Sequence, residues 1–192
     1  MPGLRLRAAA WTAAVCSVAA IWPSVSRGTE VEPFSLTAAA LLEFASSPVR
    51  HDEHAVAFRL EALRYEFDER HRLTITTHQI YRIDAPEAVE SYGQIGSVWE
   101  PYRQTKPVLR ARVVTPGGRE HQFDPATLSD ETVATGDARK FDDLHYLRGP
   151  LPAIANGSVV EILAVVADVE PKFPSGSSFD VLVGAHGAVE ST

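Results

Sequence analysis

Cysteine is almost absent from this sequence. The one cysteine among 192 residues is Cys16, in an apolar stretch near the N-terminus. A chain with a single cysteine forms no internal disulfide and offers no thiolate pair for a metal site. Its stability must come from packing, and a chain of this length buries an adequate core as one domain.

Long hydrophobic runs are also scarce, and the longest lies at the N-terminus. Arg5 and Arg7 precede an uncharged run over residues 8–21, and small residues follow up to Gly28. This order predicts a secretory signal peptide over residues 1–28. The run is shorter than the about 20 residues of a membrane span, although an uncleaved N-terminal anchor is the alternative. We expect export to the periplasm or the cell exterior, with no membrane span after cleavage.

Basic residues are few. Lys and Arg number 18 against 25 Asp and Glu, and three of the basic residues but no acids lie in residues 1–28. Cleavage would therefore leave 15 basic and 25 acidic residues, a formal charge of −10. Nucleic acids and anionic lipids bind clustered Lys and Arg, so we expect neither as a partner.

Sequence motifs for a catalytic nucleophile are lacking. There is no Gly-x-Ser-x-Gly motif, and Ser177 lies in a Gly/Ser-rich stretch with no base nearby in sequence. Removal of Cys16 with the signal peptide would leave no thiolate. We therefore expect no catalytic residues and no cofactor.

Histidines are the remaining candidates for metal chemistry. His51 and His54 lie on a polar connector, and His71 and His78 follow. Zinc sites need ligands on rigid elements with supporting hydrogen bonds. We interpret the four as loop and strand-surface residues and expect no metal site, which leaves a metal-dependent hydrolase built on them as the last-ranked alternative.

Short runs rich in β-branched and aromatic residues dominate the rest of the sequence. They predict strands over residues 56–67, 73–83, 108–115, 119–123, 131–135, 144–147, 158–167 and 179–183. Residues 158–167 are the most apolar of these and are predicted to form a central strand. The first run also fits helical spacing, but its neighbour 73–83 favours two long antiparallel strands with a bulge at Ala62 and Leu63.

The remaining segments predict little helix. Ser35 or Thr37 can cap a short helix over residues 38–45, one helical turn is predicted at 125–128, and residues 86–106 are predicted to be irregular. Many short strands and one helix predict an antiparallel β-sandwich with one short N-terminal helix. The predicted organisation is a signal peptide over 1–28, the helix and a connector over 29–53, and the sandwich over 54–192.

Three aromatic residues of the irregular segment are candidates for contact with a ligand or partner. They are Tyr92, Trp99 and Tyr102. Aromatic side chains on loops stack on sugars or anchor partner proteins. They can equally close the end of a sandwich, and packing is the preferred interpretation.

The order of these features resembles a known family. The matching features are the signal peptide, the short helix, the hairpin of 56–67 with 73–83, the strand 108–115, the turn Pro116-Gly-Gly-Arg119, the motif Phe123-Asp-Pro125, and the block LPAIANGSVVEI over 151–162. Together they span residues 41–183. In this order they resemble the β-rich N-terminal domain of unknown function of exported bacterial transglutaminase-like proteins.

The resemblance implies a β-sandwich without assigned catalytic residues. In that family the domain usually precedes a papain-like transglutaminase domain with a Cys, His and Asp triad, which this sequence does not contain. The turn Asp68–His71 lacks the usual Asp-Gly centre, so a looser loop is expected there. The chain is also expected to stop before the family's domain does, which would leave one strand of the sandwich without its neighbour.

The leading hypothesis is therefore a non-catalytic accessory or binding domain, paired in cis or in trans with a transglutaminase-like domain. The alternative is a free-standing module that binds a cell-envelope glycan or protein through Trp99, Tyr92 and Tyr102.

Overall fold

The computed structural model describes residues 31–46, 55–133 and 143–173. The chain divides into two units, Met1–Glu30 and Val31–Thr192, and every described residue belongs to the second unit. Several predicted features lie outside the described residues: the signal peptide over 1–28, His51, His54, Ser177 and the strand over 179–183.

Strands account for most of the regular structure in the described residues. The elements in chain order are α1 (Ala38–Ser46), β1 (Val56–Phe67), β2 (Leu73–Ile83), α2 (Ala88–Tyr92), β3 (Gln94–Trp99), β4 (Val108–Val114), β5 (Glu120–Gln122), a 3₁₀ helix (Pro125–Thr127), β6 (Ser129–Thr132), β7 (His145–Pro150) and β8 (Val159–Ala167).

The described strands form two antiparallel sheets. Sheet A has five strands in the order β1-β2-β8-β4-β5, and sheet B has three in the order β3-β7-β6. The antiparallel β-sandwich predicted from the sequence is confirmed. The prediction that β8 is central is also confirmed, because β2 and β4 flank it on either side.

The main core lies between the two sheets, and it is formed by alternate side chains of the strands. Its largest fully buried members are Ile83, Ile95, Val113, Leu147 and Val160. These residues come from five different strands. Truncation of any one of these side chains would therefore leave a cavity between the two sheets and destabilise the fold.

A smaller core lies on the outer face of sheet A, beneath α1. Leu41 and Ala45 of this helix pack on Ile80 and Val159 of the sheet. The helix begins where Thr37 Oγ1 accepts a hydrogen bond from Ala40 N at 3.2 Å. The predicted short helix is thus confirmed, and Thr37 rather than Ser35 caps it.

The bulge in β1 is not where the sequence predicted it. Pairing with β2 shifts between Phe58 and Leu60, not at Ala62 and Leu63. The reason is tertiary: Phe58 packs in the main core and Leu60 packs in the smaller core beneath α1. Without a bulge, residues 58 and 60 would face the same side of the sheet. The extra residue between them directs Phe58 to one face and Leu60 to the other.

The prediction of an irregular segment over residues 86–106 is wrong, because this segment contains α2 and β3. Gly93 and Gly96 weakened the strand pattern in the sequence. In the fold, a Cβ at Gly96 would lie 2.5 Å from the hydroxyl oxygen of Tyr146 on the neighbouring strand. The glycine therefore makes room for a ring that the local sequence does not reveal.

The first hairpin turn is closed by a side chain rather than by glycine. Asp68 Oδ1 accepts hydrogen bonds from the backbone N–H groups of Arg70 and Arg72, at 2.9 and 3.0 Å. The side-chain hydrogen bond from Arg72 is the main reason that the pKa of Asp68 falls to about 2. The expected loose loop is instead an ordered turn, with His71 at a φ of 60°.

Candidate functional site

A buried carboxylate lies on the outer face of sheet A, near the start of its central strand. Glu161 of β8 is fully buried. Arg112 of β4 donates from Nε to its Oε2 at 2.7 Å, and His78 of β2 lies with Nε2 at 2.9 Å from its Oε1. Because an ionised carboxylate only accepts hydrogen bonds, His78 carries its proton on Nε2. The backbone N–H of Phe34 adds a third donor at 2.8 Å.

This cluster is enclosed by the segment that precedes α1. The ring of Phe34 lies 5.6 Å from the guanidinium carbon of Arg112 and 4.5 Å from that of Arg110. Burial raises the pKa of Glu161, but the hydrogen bonds from His78, Phe34 and Arg112 outweigh it, so the net pKa is lowered. An ionised carboxylate with its acceptors occupied in this way holds three elements together and is unsuited to act as a base.

A second charged network lies at one end of the sandwich. Arg103 Nη1 donates to Asp168 Oδ1 at 2.7 Å, and Arg103 Nε donates to Glu100. Gln104 also donates to Asp168 Oδ1, at 3.1 Å, and pairs with it as an isolated β-bridge. These contacts tie the loop after β3 to the residues that follow β8.

The two ends of the sandwich differ in how they are covered. We call the end where β1, β3 and β8 finish and β2 and β4 begin the open end, and the opposite end, with α1 and α2, the closed end. The described part of the chain exposes seven large apolar side chains, all in the half nearer the open end. They are Leu63, Phe67, Val98, Tyr102, Val108, Val169 and Phe173.

A groove runs along the side of the sandwich beside β3. It has a volume of about 420 Å³ and is lined by residues of both β3 and sheet A. Its lining from sheet A includes Thr77, Ala164 and Val166, which are only half-buried. The lining contains both apolar and polar side chains, and Gln79 and Ser97 are among the polar ones.

The three aromatic residues singled out from the sequence do not form one surface. Tyr92 packs against Phe58 and Tyr81, with ring centroids 6.1 and 5.7 Å away. Trp99 is 9% exposed in the main core, whereas Tyr102 is 64% exposed at the open end. Tyr92 is the last residue of α2, just before β3 begins, whereas Trp99 is the last residue of β3.

Trp99 contacts a group of charged residues at the open end. Its ring lies 5.6 Å from the His145 ring, nearly edge-on. His145 Nδ1 is 2.9 Å from Asp130 and Nε2 is 3.2 Å from Asp143, while Lys106 Nζ is 3.2 Å from Asp130. The hydrogen bond with Asp130 is the main reason that the pKa of His145 is raised.

The histidines predicted to lie on loop and strand surfaces have different environments. His71 is exposed in the first turn, but His78 is 5% exposed, so its placement on the strand surface is wrong. Within the described residues, no three potential metal ligands come together. Nor does any helix in residues 31–46, 55–133 or 143–173 have the length and apolarity of a bilayer span.

The sequence analysis did not predict that Glu161 is buried and paired. Its signal is an acid in the most apolar strand, since a carboxylate there must either lie outward or find buried partners. The sequence does not say which strands supply those partners, because His78 and Arg112 are far from Glu161 along the chain.

Comparison with known proteins gives a family and a fold. The model of the family described as a domain of unknown function with a solved structure, DUF3857, matches residues 69–190. Comparison with curated proteins finds no significant match. A protein of Parabacteroides distasonis, provisionally described as a protease, is similar with a TM-score of 0.56 and 11% identity, over 62% of this chain and 24% of that one. This likeness shows the fold alone, and the present chain spans under a quarter of that protein's length.

The other solved structure is more distant. It is the CBM3a-L domain of scaffoldin cipA from the cellulosome of Clostridium thermocellum, with 11% identity over 64% of this chain and 71% of that one. The TM-score of 0.32 is too low to support a shared fold or function.

Proposed function

Because the chain belongs to the DUF3857 family, we propose that it is a non-catalytic accessory domain that docks on another protein through its open end. The partner is a transglutaminase-like domain, in cis or in trans. The proposal includes export, which rests on the signal-peptide pattern of residues 1–28.

The observation that carries the proposal is the concentration of exposed apolar side chains at the open end. Single exposed apolar residues are common on any protein, whereas the presence of several in the same half of a domain favours an interface there. Tyr102 and Phe173 are among these exposed side chains, and aromatic residues are the usual anchors of protein interfaces.

A protein partner fits this end better than a small substrate. The open end exposes Tyr102 and Phe173, and the charged groups around Arg103 are already paired with one another. In the Parabacteroides protein the similar fold makes up 24% of the chain, so that fold occurs there as part of a longer chain. These features support an accessory domain covered by a neighbour.

Site-specific photocrosslinking tests the docking surface. A photoreactive phenylalanine analogue replaces Tyr102 in the protein expressed in its own cell, and the matched control places it at Thr127, which is exposed but outside the open end. We expect a crosslink from position 102 to a protein or segment bearing a Cys, His and Asp triad, and none from position 127. Equal crosslinking from both positions would contradict the proposal.

Activity assays test the absence of catalysis separately. The purified chain is expected to show no amide-transfer or peptidase activity on glutamine-containing peptides. Activity that copurifies with the chain and is lost on Glu161→Gln or His78→Gln would overturn the non-catalytic assignment, whatever the crosslinking shows.

A further inference from the structure

The groove beside β3 is lined without any charged side chain. Fourteen of the described residues line it, and none of them is Asp, Glu, Lys, Arg or His. This composition departs from the rest of the protein, because charged residues make up 22% of the chain. A charged ligand that entered the groove would lose part of its hydration without meeting an opposite charge. The groove is therefore suited to an uncharged ligand.

Neutral polar side chains line the groove on two sides. Thr77 and Gln79 of β2 belong to sheet A, and Gln94 and Ser97 of β3 belong to sheet B. Gln94 is exposed and the other three are half-buried, so a ligand in the groove can reach all four. Hydroxyl and amide side chains can both donate and accept hydrogen bonds. A ligand rich in hydroxyl groups would therefore find partners on either side.

A tyrosine hydroxyl is added to this lining through a glycine. Tyr146 belongs to β7, which pairs with β3, and it nevertheless lines the groove. A Cβ on Gly96 of β3 would lie 2.5 Å from the Tyr146 hydroxyl oxygen and 2.7 Å from Cε2 and Cζ of the ring, so the ring lies directly against the Gly96 backbone. Glycine in a strand interior costs stability, and it often marks a close approach of this kind. Gly96 thus lets Tyr146 reach the groove.

Apolar side chains complete the lining. Ile162, Ala164 and Val166 are alternate residues of β8, so they project from the same face of sheet A. Phe58 and Tyr81 also line the groove, and their ring centroids are 5.4 Å apart. Burial of C–H groups against such a surface is favourable. The groove therefore combines an apolar surface with uncharged groups that donate and accept hydrogen bonds.

We propose that this groove binds a neutral oligosaccharide. A sugar ring has an apolar C–H face, and hydroxyl groups around its whole edge can bond to Gln94, Ser97 and Tyr146 on one side and to sheet A on the other. An extended peptide, the competing ligand, would pair its backbone with β3 alone. The volume of about 420 Å³ lies within the range of about 300–1,000 Å³ that is usual for ligand sites.

The groove is separate from the docking surface proposed above. Neither Tyr102 nor Phe173 is among its lining residues. Oligosaccharide binding and docking on a protein partner can therefore be tested independently, and the failure of one leaves the other standing.

Calorimetry with defined oligosaccharides tests the class of ligand. The neutral probes are cellotetraose, maltotetraose and tetra-N-acetylchitotetraose, and the charged probe is tetragalacturonate. We expect the full chain to bind at least one neutral probe saturably, and to bind tetragalacturonate at least about tenfold more weakly. Absence of binding by all three neutral probes would overturn the proposal. Binding of an acetylated and amidated tetraserine peptide in place of the sugars would also overturn it.

Two substitutions test whether the groove is the binding site. Tyr146→Phe keeps the ring against Gly96 and removes only its hydroxyl, and Gln94→Ala removes an exposed amide. Each should weaken binding of the neutral probe about five- to tenfold through the loss of a hydrogen bond. Gln122→Ala is the matched control, since Gln122 is an exposed amide on β5 that does not line the groove. It should leave the affinity unchanged, and equal losses in Gln94→Ala and Gln122→Ala would contradict the assignment.

Amide chemical shifts locate the ligand without any substitution. Addition of the neutral probe should move the amide signals of Gly96 and Ser97 and leave that of Thr127, which is exposed and outside the groove, in place. Shifts confined to residues outside the groove would overturn the proposal even if calorimetry detects binding. Urea unfolding of each variant checks that a loss of affinity is not a loss of folding.

Discussion

The closed and open ends of this sandwich are built from the same strands, yet they bury their side chains to different extents. At the closed end α1 covers the outer face of sheet A, and Ile80 and Val159 beneath it are fully buried. At the open end Val108, the first residue of β4, is about half exposed, and so is Val169, which follows the end of β8. The difference lies in the cover and not in the hydrophobicity of the strands.

The charged groups follow the same division. At the closed end Glu161 and Arg112 are buried and paired, and the segment around Phe34 excludes water from them. At the open end Lys106, Asp130 and His145 form ion pairs with partly exposed side chains. Buried pairs are costly to break, whereas exposed pairs contribute little. We therefore expect the closed end to be the more stable part of the domain, and the open end is the docking surface proposed above.

The largest expected effect comes from removing the buried carboxylate. Glu161→Ala leaves Arg112 buried without its main partner and should lower the free energy of unfolding by about 3–5 kcal/mol. Glu120 also contacts Arg112, at 3.4 Å, but is partly exposed, so Glu120→Ala should cost under about 1 kcal/mol. Urea denaturation measures both. Equal losses would show that the closed end does not depend on its buried cluster.

Truncation of apolar side chains compares the two ends directly. Leu41→Ala removes a fully buried side chain of α1 and should cost about 2–5 kcal/mol. Val169→Ala truncates an exposed side chain at the open end and should change stability by less than about 0.5 kcal/mol. Thermal or urea unfolding measures the free energy of unfolding of the two variants. Similar losses of stability would show that the two ends do not differ in how much their apolar side chains contribute.

Acid should weaken the closed end through Glu161. Its pKa is lowered in the folded protein, so its contribution is complete above the ordinary carboxyl pKa and is lost as the pH falls through the folded value. Stability measured from neutral pH down to pH 3 should therefore decrease more steeply in the unmodified protein than in Glu161→Gln. Parallel curves would mean that Glu161 contributes nothing to the acid dependence.

The smallest effect is expected at the open end, as a local spectroscopic change. His145 has a raised pKa, so its ion pair with Asp130 is present at low pH and is lost as the pH rises through that value. In protein lacking residues 1–28, Trp99 is the only tryptophan. Its fluorescence should increase with loss of the imidazolium, with little change in unfolding free energy. A titration that persists in His145→Gln would assign it to another group.

Local patterns were sufficient to predict most of the elements. Alternation over β2 and the apolar run of β8 correctly predicted two long strands, one of them central. The short helix was predicted from its alanines, its leucines and two candidate caps, Ser35 and Thr37, of which the structure uses Thr37. Such features depend on the period of the hydrophobic pattern within one segment, which the sequence contains directly.

Features that depend on two distant segments were not predicted. β3 was missed because Gly96 interrupts its pattern, and the reason for that glycine is Tyr146 on β7. The bulge was misplaced because Phe58 and Leu60 belong to different cores. His78 was placed on the surface because nothing near it in sequence shows that Glu161 and the segment of Phe34 cover it.

The sequence by itself therefore determined the fold class and the position of most strands, because period and turn composition are local properties. Only the tertiary structure decided which end of the sandwich is covered and that Glu161 has three donors. It also separated Trp99 in the core from Tyr102 at the surface. The physical reason is that burial and pairing depend on the segments that packing brings together, and such segments can lie more than a hundred residues apart, as Phe34 and Glu161 do.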